Sequence, residues 1–358
     1  MITKSKTITF AQSVDDAFAL APAISGLIQN AVVRGSPAVL RSVIGYNAAS
    51  RAAQGGTQAF MDATKFVVGN MLKSMAKKIE IEMLYGQVGY GTVDANTVAA
   101  TTFVVAEAEW APGIWVGSEK MPIEIRSSSG AVSRGIVQVV EANLETRTIT
   151  VDGALTLTAG DVIWHKGAYG NEFIGLHRII QQSGLTTLFN VSTSFNLFKG
   201  NTYDAQNGAL SFAKLNQAIT RAVEKGVEGK VTVFVSNRGW ANMLNDQAAL
   251  RKYDGSYSRK KLENGAEALT FYSQSGELEI IPHTMVKESY AYMVQLSDFM
   301  RIGSSDITFK RPGMEVDGNF FKDASDLAGY ELRCFTDQAL FCCAPGRQVL
   351  IYNITNNQ

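Results

Sequence analysis

The sequence predicts a mixed α+β chain built on one long helix. Three observations carry that expectation: helical periodicity sustained over residues 57–84, a succession of short β-branched segments between about 103 and 168, and strand-then-helix order after residue 227. In the first, Phe60, Val67, Met71, Met75 and Ile79 recur on one face, with Asp62, Lys73, Lys77 and Glu80 opposite. At about 1.5 Å per residue the segment spans roughly 42 Å, the length of a beam. Thr57 after Gly55 and Gly56 reads as its cap, and Gly86 after Tyr85 as its terminating glycine. Its weakest turn is Val67, Val68 and Gly69, where the glycine alone costs about 1 kcal/mol relative to alanine.

With 358 residues the chain exceeds a single hydrophobic core, so two or more lobes are expected. Its 33 basic and 33 acidic residues cancel, which argues against a free-standing nucleic-acid binder and suits a protein that packs against copies of itself. No apolar run approaches the length of about 20 residues that spans a membrane, and the N-terminus has no charged-then-apolar signal pattern, so cytosolic synthesis is expected. Cys334, Cys342 and Cys343 fall in one apolar segment and are expected to be buried, reduced thiols. Without a histidine beside them they make no zinc site.

Residues 1–12 alternate weakly and read as an extended arm. Ser13 with Asp15 and Asp16 marks a short helix, and Ile24 to Val33 a second. The stretch 34–56 carries Arg34, Arg41 and Arg51 without one acidic residue, together with four glycines and the apolar Val39, Leu40, Val43 and Ile44. A loop of that length is more often functional than decorative, and two readings stand: a hairpin covered by another subunit, or one packed on its own domain. The glycines of YGQVGYG follow a helix rather than a strand, the wrong order for a phosphate loop. FVVAEAEW, GIWVGSEKMPIEIRS, GIVQVVEA and RTITVDGAL are strand-like, with a hairpin turn at 143–147 and a closing strand in GDVIWHKG. Carboxylates at Glu107 and Glu109, and at Glu277 and Glu279, read as solvated strand faces.

Phe173 to Gln182 is expected to be helical, 185–209 irregular, and Ser211 to Lys225 an amphipathic helix with Leu215, Ile219 and Val223 on one side. VTVFVS followed by NRGWANMLNDQAALRK gives the strand and helix of a second lobe. LEIIPH, SYAYMVQL and FMRIG add strands, and the final run supplies two more, joined at Pro345 and Gly346 and expected to bury in the first lobe. No catalytic constellation is legible: His165, His177 and His283 are scattered, no nucleophile elbow occurs, and no cysteine has an electropositive neighbourhood. No catalytic, cofactor or metal residue is therefore expected.

In order and type of parts the whole chain resembles the major capsid proteins of tailed double-stranded-DNA bacteriophages. The sharpest local likenesses are KKIEIEMLYGQVGYG, GIVQVVEANLETRTITVDGALTLTAGDVIWHKG and AITRAVEKGVEGKVTVFVSNRGWANML, supported by SGELEIIPH and YELRCFTDQALFCCAP. The resemblance implies an N-terminal arm over 1–30, an E-loop over 31–56, a spine helix over 57–85, a P-domain over 86–226, an A-domain over 227–310, and a return to the P-domain over 311–358. A β-rich insertion at about 103–168 departs from the family, and so does the lack of a long charged N-terminus, which implies that any scaffolding protein is separate.

It further implies a shell subunit, in hexamers and pentamers with a portal at one vertex and any decoration proteins outside. Such a shell encloses double-stranded DNA without reading its sequence, has no membrane, and is assembled in the host cytoplasm. Arg34, Val39, Leu40, Arg41, Val43, Ile44 and Arg51 are then expected at inter-subunit contacts, with Glu80 or Glu82 of a neighbouring spine as partners, and Val67, Val68 and Gly69 as a spine hinge. The arm and the loop are expected to order on assembly. No lysine lies between Ile28 and Thr64, so a lysine crosslink from the loop, as some family members make, is not expected. An encapsulin-like compartment is the alternative within the fold, and an α/β enzyme with a β-barrel insert the alternative outside it.

Overall fold

The computed structural model describes residues 12–15, 29–45, 57–245, 269–274, 276–310, 322–323 and 329–356. In chain order the strand β1 (Ser36–Gly45) leads to the long helix α1 (Thr57–Tyr85), then β2 (Gly91–Thr92), β3 (Thr97–Val104), the short α2 (Pro112–Trp115), β4 (Pro122–Arg126), β5 (Ser133–Asn143), β6 (Thr148–Leu157) and β7 (Val162–His165). There follow α3 (Leu176–Ile180), β8 (Thr187–Leu188), β9 (Val191–Ser192), β10 (Asn201–Gly208), α4 (Phe212–Val223), β11 (Val231–Val235) and α5 (Asn237–Asn245). The remaining strands are β12 (Leu269–Ser273), β13 (Gly276–Pro282), β14 (Ala291–Val294), β15 (Phe299–Thr308), β16 (Lys322–Asp323), β17 (Gly329–Cys342) and β18 (Val349–Ile354).

Helix α1 runs unbroken over 29 residues. Met71, Met75 and Ile79, one helical turn apart, are buried against Leu332 and Cys334 of β17, and Ala38, Leu40 and Ile44 of β1 complete that layer. The spine is thus a beam with a sheet laid along it, the sheet order being β1-β17-β15 with β16 also on β17. Near its other end Ile81 and Tyr85 enter a different core. The side chain of Phe60, expected on the same apolar face, lies outside those described.

The second sheet has the order β2-β7-β4-β5-β6-β3, and its two edges meet where Val93 pairs with Val105, so the sheet curls back on itself. Inward residues alternate along it, Val137 and Val139 on β5 with Ile149 and Val151 on β6, around Trp110, Ile114 and Trp115. This is the β-rich insertion, beginning at Gly91, twelve residues earlier than its expected start. Residues 107–109, expected on a strand, form a single 3-10 turn.

The third sheet, β10-β18-β14-β11-β13-β12, carries α4 on one face, where Leu215 and Ile219 meet Val233, Met293 and Ile351. Tyr292, Val294 and Leu350 point to its other face, into the core shared with α1 and the barrel. The last strand, β18, lies between β10 and β14 and packs on α4, with Leu350 facing the core shared with α1, while β17 lies along α1. Strand β10 and helix α4 share their core with β11 and β13, across residue 226. Strand β10, within a stretch expected to be irregular, is polar (NTYDAQNG) because it is an edge strand paired on one side only, in parallel with β18. The described part of Ile24 to Val33, residues 29–33, is not helical.

Candidate functional site

Strand β1 is the described part of the acid-free stretch; Arg51 and residues 46–56 lie outside the described residues, as does the arm over 1–11. It pairs antiparallel with β17 over ten residues, Leu40 opposite Cys334, Arg41 opposite Arg333 and Val43 opposite Glu331. Because side chains alternate across a strand, the expected contact residues divide. Leu40 and Ile44 turn in against the spine, whereas Val39 is 61% exposed and Val43 37%. Of the four apolar residues expected at inter-subunit contacts, Val39 and Val43 are the two that face outward.

Arg41 pairs with Glu331 of its own chain at 2.8 Å, and Arg333 holds the same carboxylate. Arg333, with Arg41 beside it, keeps that carboxyl below the usual glutamate range. Two part-exposed guanidiniums therefore cover one carboxylate that is itself 0% exposed. Glu80, the expected partner on a neighbouring spine, meets His283 of its own chain at 2.9 Å. Arg34, just before β1, is exposed and has no ion-pair partner among the described residues.

Glu82 is 4% exposed and sits where β1 meets the spine. Its carboxylate accepts from the Phe173 amide at 3.0 Å and from the Ser36 hydroxyl at the head of β1. Lys78, one turn earlier, is paired with Glu172 and Tyr90. Burial raises the Glu82 carboxyl to about 7, against the pull of Lys78. The glycines bring these parts together: a methyl group on Gly86 would strike the carbonyl oxygens of Phe173 and Glu82, so YGQVGYG serves close backbone packing.

A second polar cluster joins the barrel to the third sheet. Lys287, 1% exposed, pairs with Glu109, lies 4.4 Å from the centre of the Tyr85 ring and donates to the Gly89 carbonyl at 3.2 Å. Tyr290 donates to Glu109 at 2.7 Å, and Tyr85 donates to the Met285 carbonyl while accepting from the Lys287 amide. Burial raises Glu109, but the Lys287 ammonium outweighs it and holds the carboxyl low. His177 shares hydrogen bonds with Tyr292 and Gln181; burial, aided by Lys287, pushes it down to about 4, so its ring is neutral at pH 7. Glu109 was expected on a solvated face, and nothing in sequence links it to a lysine 178 residues away. Each of these groups is bonded to another within the cluster, as a structural tie requires.

The thiols of Cys334 and Cys342 are buried as expected, but Cys343 is exposed, because β17 ends at Cys342. No group of metal-binding residues occurs among the described residues, and no described helix is long and apolar enough to cross a membrane.

A chain from the capsid asymmetric unit of cyanophage A-1(L) matches this architecture with a TM-score of 0.52, over 94% of this chain and 82% of that one, at 13% identity. This chain has a tailed-phage capsid fold. A chain of the satellite phage P4 procapsid matches at a TM-score of 0.41 and 9% identity, over 98% and 80% of the two chains. One from the Synechococcus elongatus encapsulin complex matches at 0.29 and 11%, over 51% and 63%. No protein-family model matches the sequence, and comparison with curated proteins returns no match. On this capsid fold the exposed residues singled out above lie on β1 and the segment leading into it, beside the long helix.

Proposed function

We propose that this chain is a shell subunit: copies assemble into hexamers and pentamers of an icosahedral phage capsid that encloses double-stranded DNA. The observation that carries the reading is the capsid fold spanning nearly the whole chain, helix, barrel and third sheet together. The exposed face of β1 supports it. Val39 and Val43 flank an arginine pair with a single carboxylate, a surface suited to apolar burial and a further carboxylate from a neighbour. Balanced charge lets many copies pack without strong mutual repulsion, and the enclosed DNA is held by confinement rather than by a basic lining.

No catalytic step belongs to this function; the activity is assembly. A portal and any scaffolding or decoration proteins are partners of the assembled shell. Expression of the chain followed by electron microscopy tests the reading, with closed particles of uniform size expected. A chain that stays monomeric at high concentration, alone and with its neighbouring structural proteins, overturns it. Nucleic acid within particles made during infection distinguishes a virion from a cargo compartment.

A further inference from the structure

A pocket of about 840 Å³ opens between the segment before β1 and the loops around β7, α3 and β8. Its lining holds one carboxylate, Glu172, which is already engaged by Lys78. Arg34 and Arg178 both face it, and neither has a carboxylate partner among the described residues; Arg178 donates only to the Ser183 carbonyl. Trp164 lines the same space at 5% exposure, and its indole N–H has no acceptor. The remaining walls are mixed: Gln87, Thr187 and Asn190 lie among apolar residues and the rings of Tyr169 and Phe189. A site with two unpaired guanidiniums beside aromatic rings calls for carboxylates flanking an apolar side chain.

The turn between β5 and β6 has that composition. Leu144 is 38% exposed at its tip, between Glu141 and Glu145, which are exposed and in no ion pair among the described residues. The turn is preformed, since the Asn143 side-chain oxygen accepts from the amides of Glu145 and Thr146. It does not reach the pocket of its own chain. Ile136 of β5 lies across Glu124 from Trp164, and the tip is a further eight residues along, roughly 27 Å at the rise of an extended strand.

We propose that the pocket receives the β5–β6 turn of a second copy, with Leu144 between the aromatic walls and Glu141 and Glu145 at Arg34 and Arg178. The contact is head-to-tail, each copy offering a turn on one side and a pocket on the other, the kind that closes rings. It deepens the shell reading by naming one of its contacts, and it rests on that reading only for its place in a particle.

Two differently tagged copies in a Cys343→Ser background test it, one carrying Val32→Cys at the pocket rim and the other Thr146→Cys beside the tip. Oxidation is expected to give a disulfide-linked pair containing both tags, and a mixture lacking either cysteine none. In parallel, reversing the pocket (Arg34→Glu with Arg178→Glu) or the turn (Glu141→Lys with Glu145→Lys) is expected to lower the assembled fraction about tenfold. Mixing the two reversed chains, each shown folded by circular dichroism, restores one pocket–turn contact with its charges exchanged and recovers the pair. Particles that form without the crosslink overturn the contact and leave the shell reading standing. A crosslink without particles does the reverse, and reversed chains that associate like the native one also overturn the contact.

Discussion

Glu82 and His177 pull stability in opposite directions as pH changes. The Glu82 carboxyl is raised to about 7 in the folded chain from an ordinary value near 4.5, so folding holds its proton and stability falls as pH rises between those values. His177 is lowered to about 4 from 6.5, so the unfolded chain holds its proton and stability falls as pH drops between those values. Over pH 4.5–6.5 the two slopes largely cancel. Glu82→Gln keeps an acceptor for the Phe173 amide and removes the titration. It should raise stability at pH 8 by about 3 kcal/mol, the rise from 4.5 to about 7 being worth about 1.4 kcal/mol per pH unit, and unmask a rising slope between pH 5 and 6.5. Urea unfolding at a series of pH values reads both; an unchanged profile would show that Glu82 is solvated.

At the scale of elements, the spine is tied to the sheet along one stripe. Met75→Ala, at 4% exposure between α1 and β17, should cost about 3 kcal/mol of unfolding free energy. Gly69→Ala should go the other way. A methyl group there meets nothing within 4 Å, so the gain is the helix propensity of alanine, about 1 kcal/mol by thermal unfolding. Helix α1 is continuous through Val67, Val68 and Gly69, and we retain the hinge as a proposal: if the shell changes shape, curvature should differ there between precursor and mature particles, and Gly69→Ala should slow the change. For β1, the ten-residue ladder with β17 gives this part of the stretch partners within its own chain. Amide exchange over 38–44 in the isolated chain should already be slowed at ladder positions; free exchange there would mean that it orders only on assembly.

At the scale of the whole molecule, cohesion between copies in the proposed shell has to come from burial repeated many times. Exposed ion pairs such as those open to Arg34 contribute about 0–1 kcal/mol each, whereas apolar area returns about 25 cal/mol per Å². A covalent alternative through the loop lacks its chemistry, since no amine lies between Ile28 and Thr64 and a guanidinium stays protonated. Denaturing gels of boiled, reduced particles should therefore show a single band at the monomer mass; a ladder would refute this.

What the sequence determined by itself was local. The limits of α1, the apolar face of α4, the strands of the barrel and the Pro345–Gly346 junction all follow from periods, caps and turn residues that depend on residues a few positions apart. The order of parts also carried the fold. Only the tertiary structure decided which strands are neighbours, and therefore that β18 enters the third sheet and β17 the spine sheet. It alone gave Arg41 to Glu331, Glu80 to His283 and Glu109 to Lys287, and split Leu40 and Ile44 from Val39 and Val43. The reason is physical: a charged side chain takes whichever counter-charge the topology brings within hydrogen-bond reach, and for Glu109 that group lies 178 residues along the chain, beyond any local pattern.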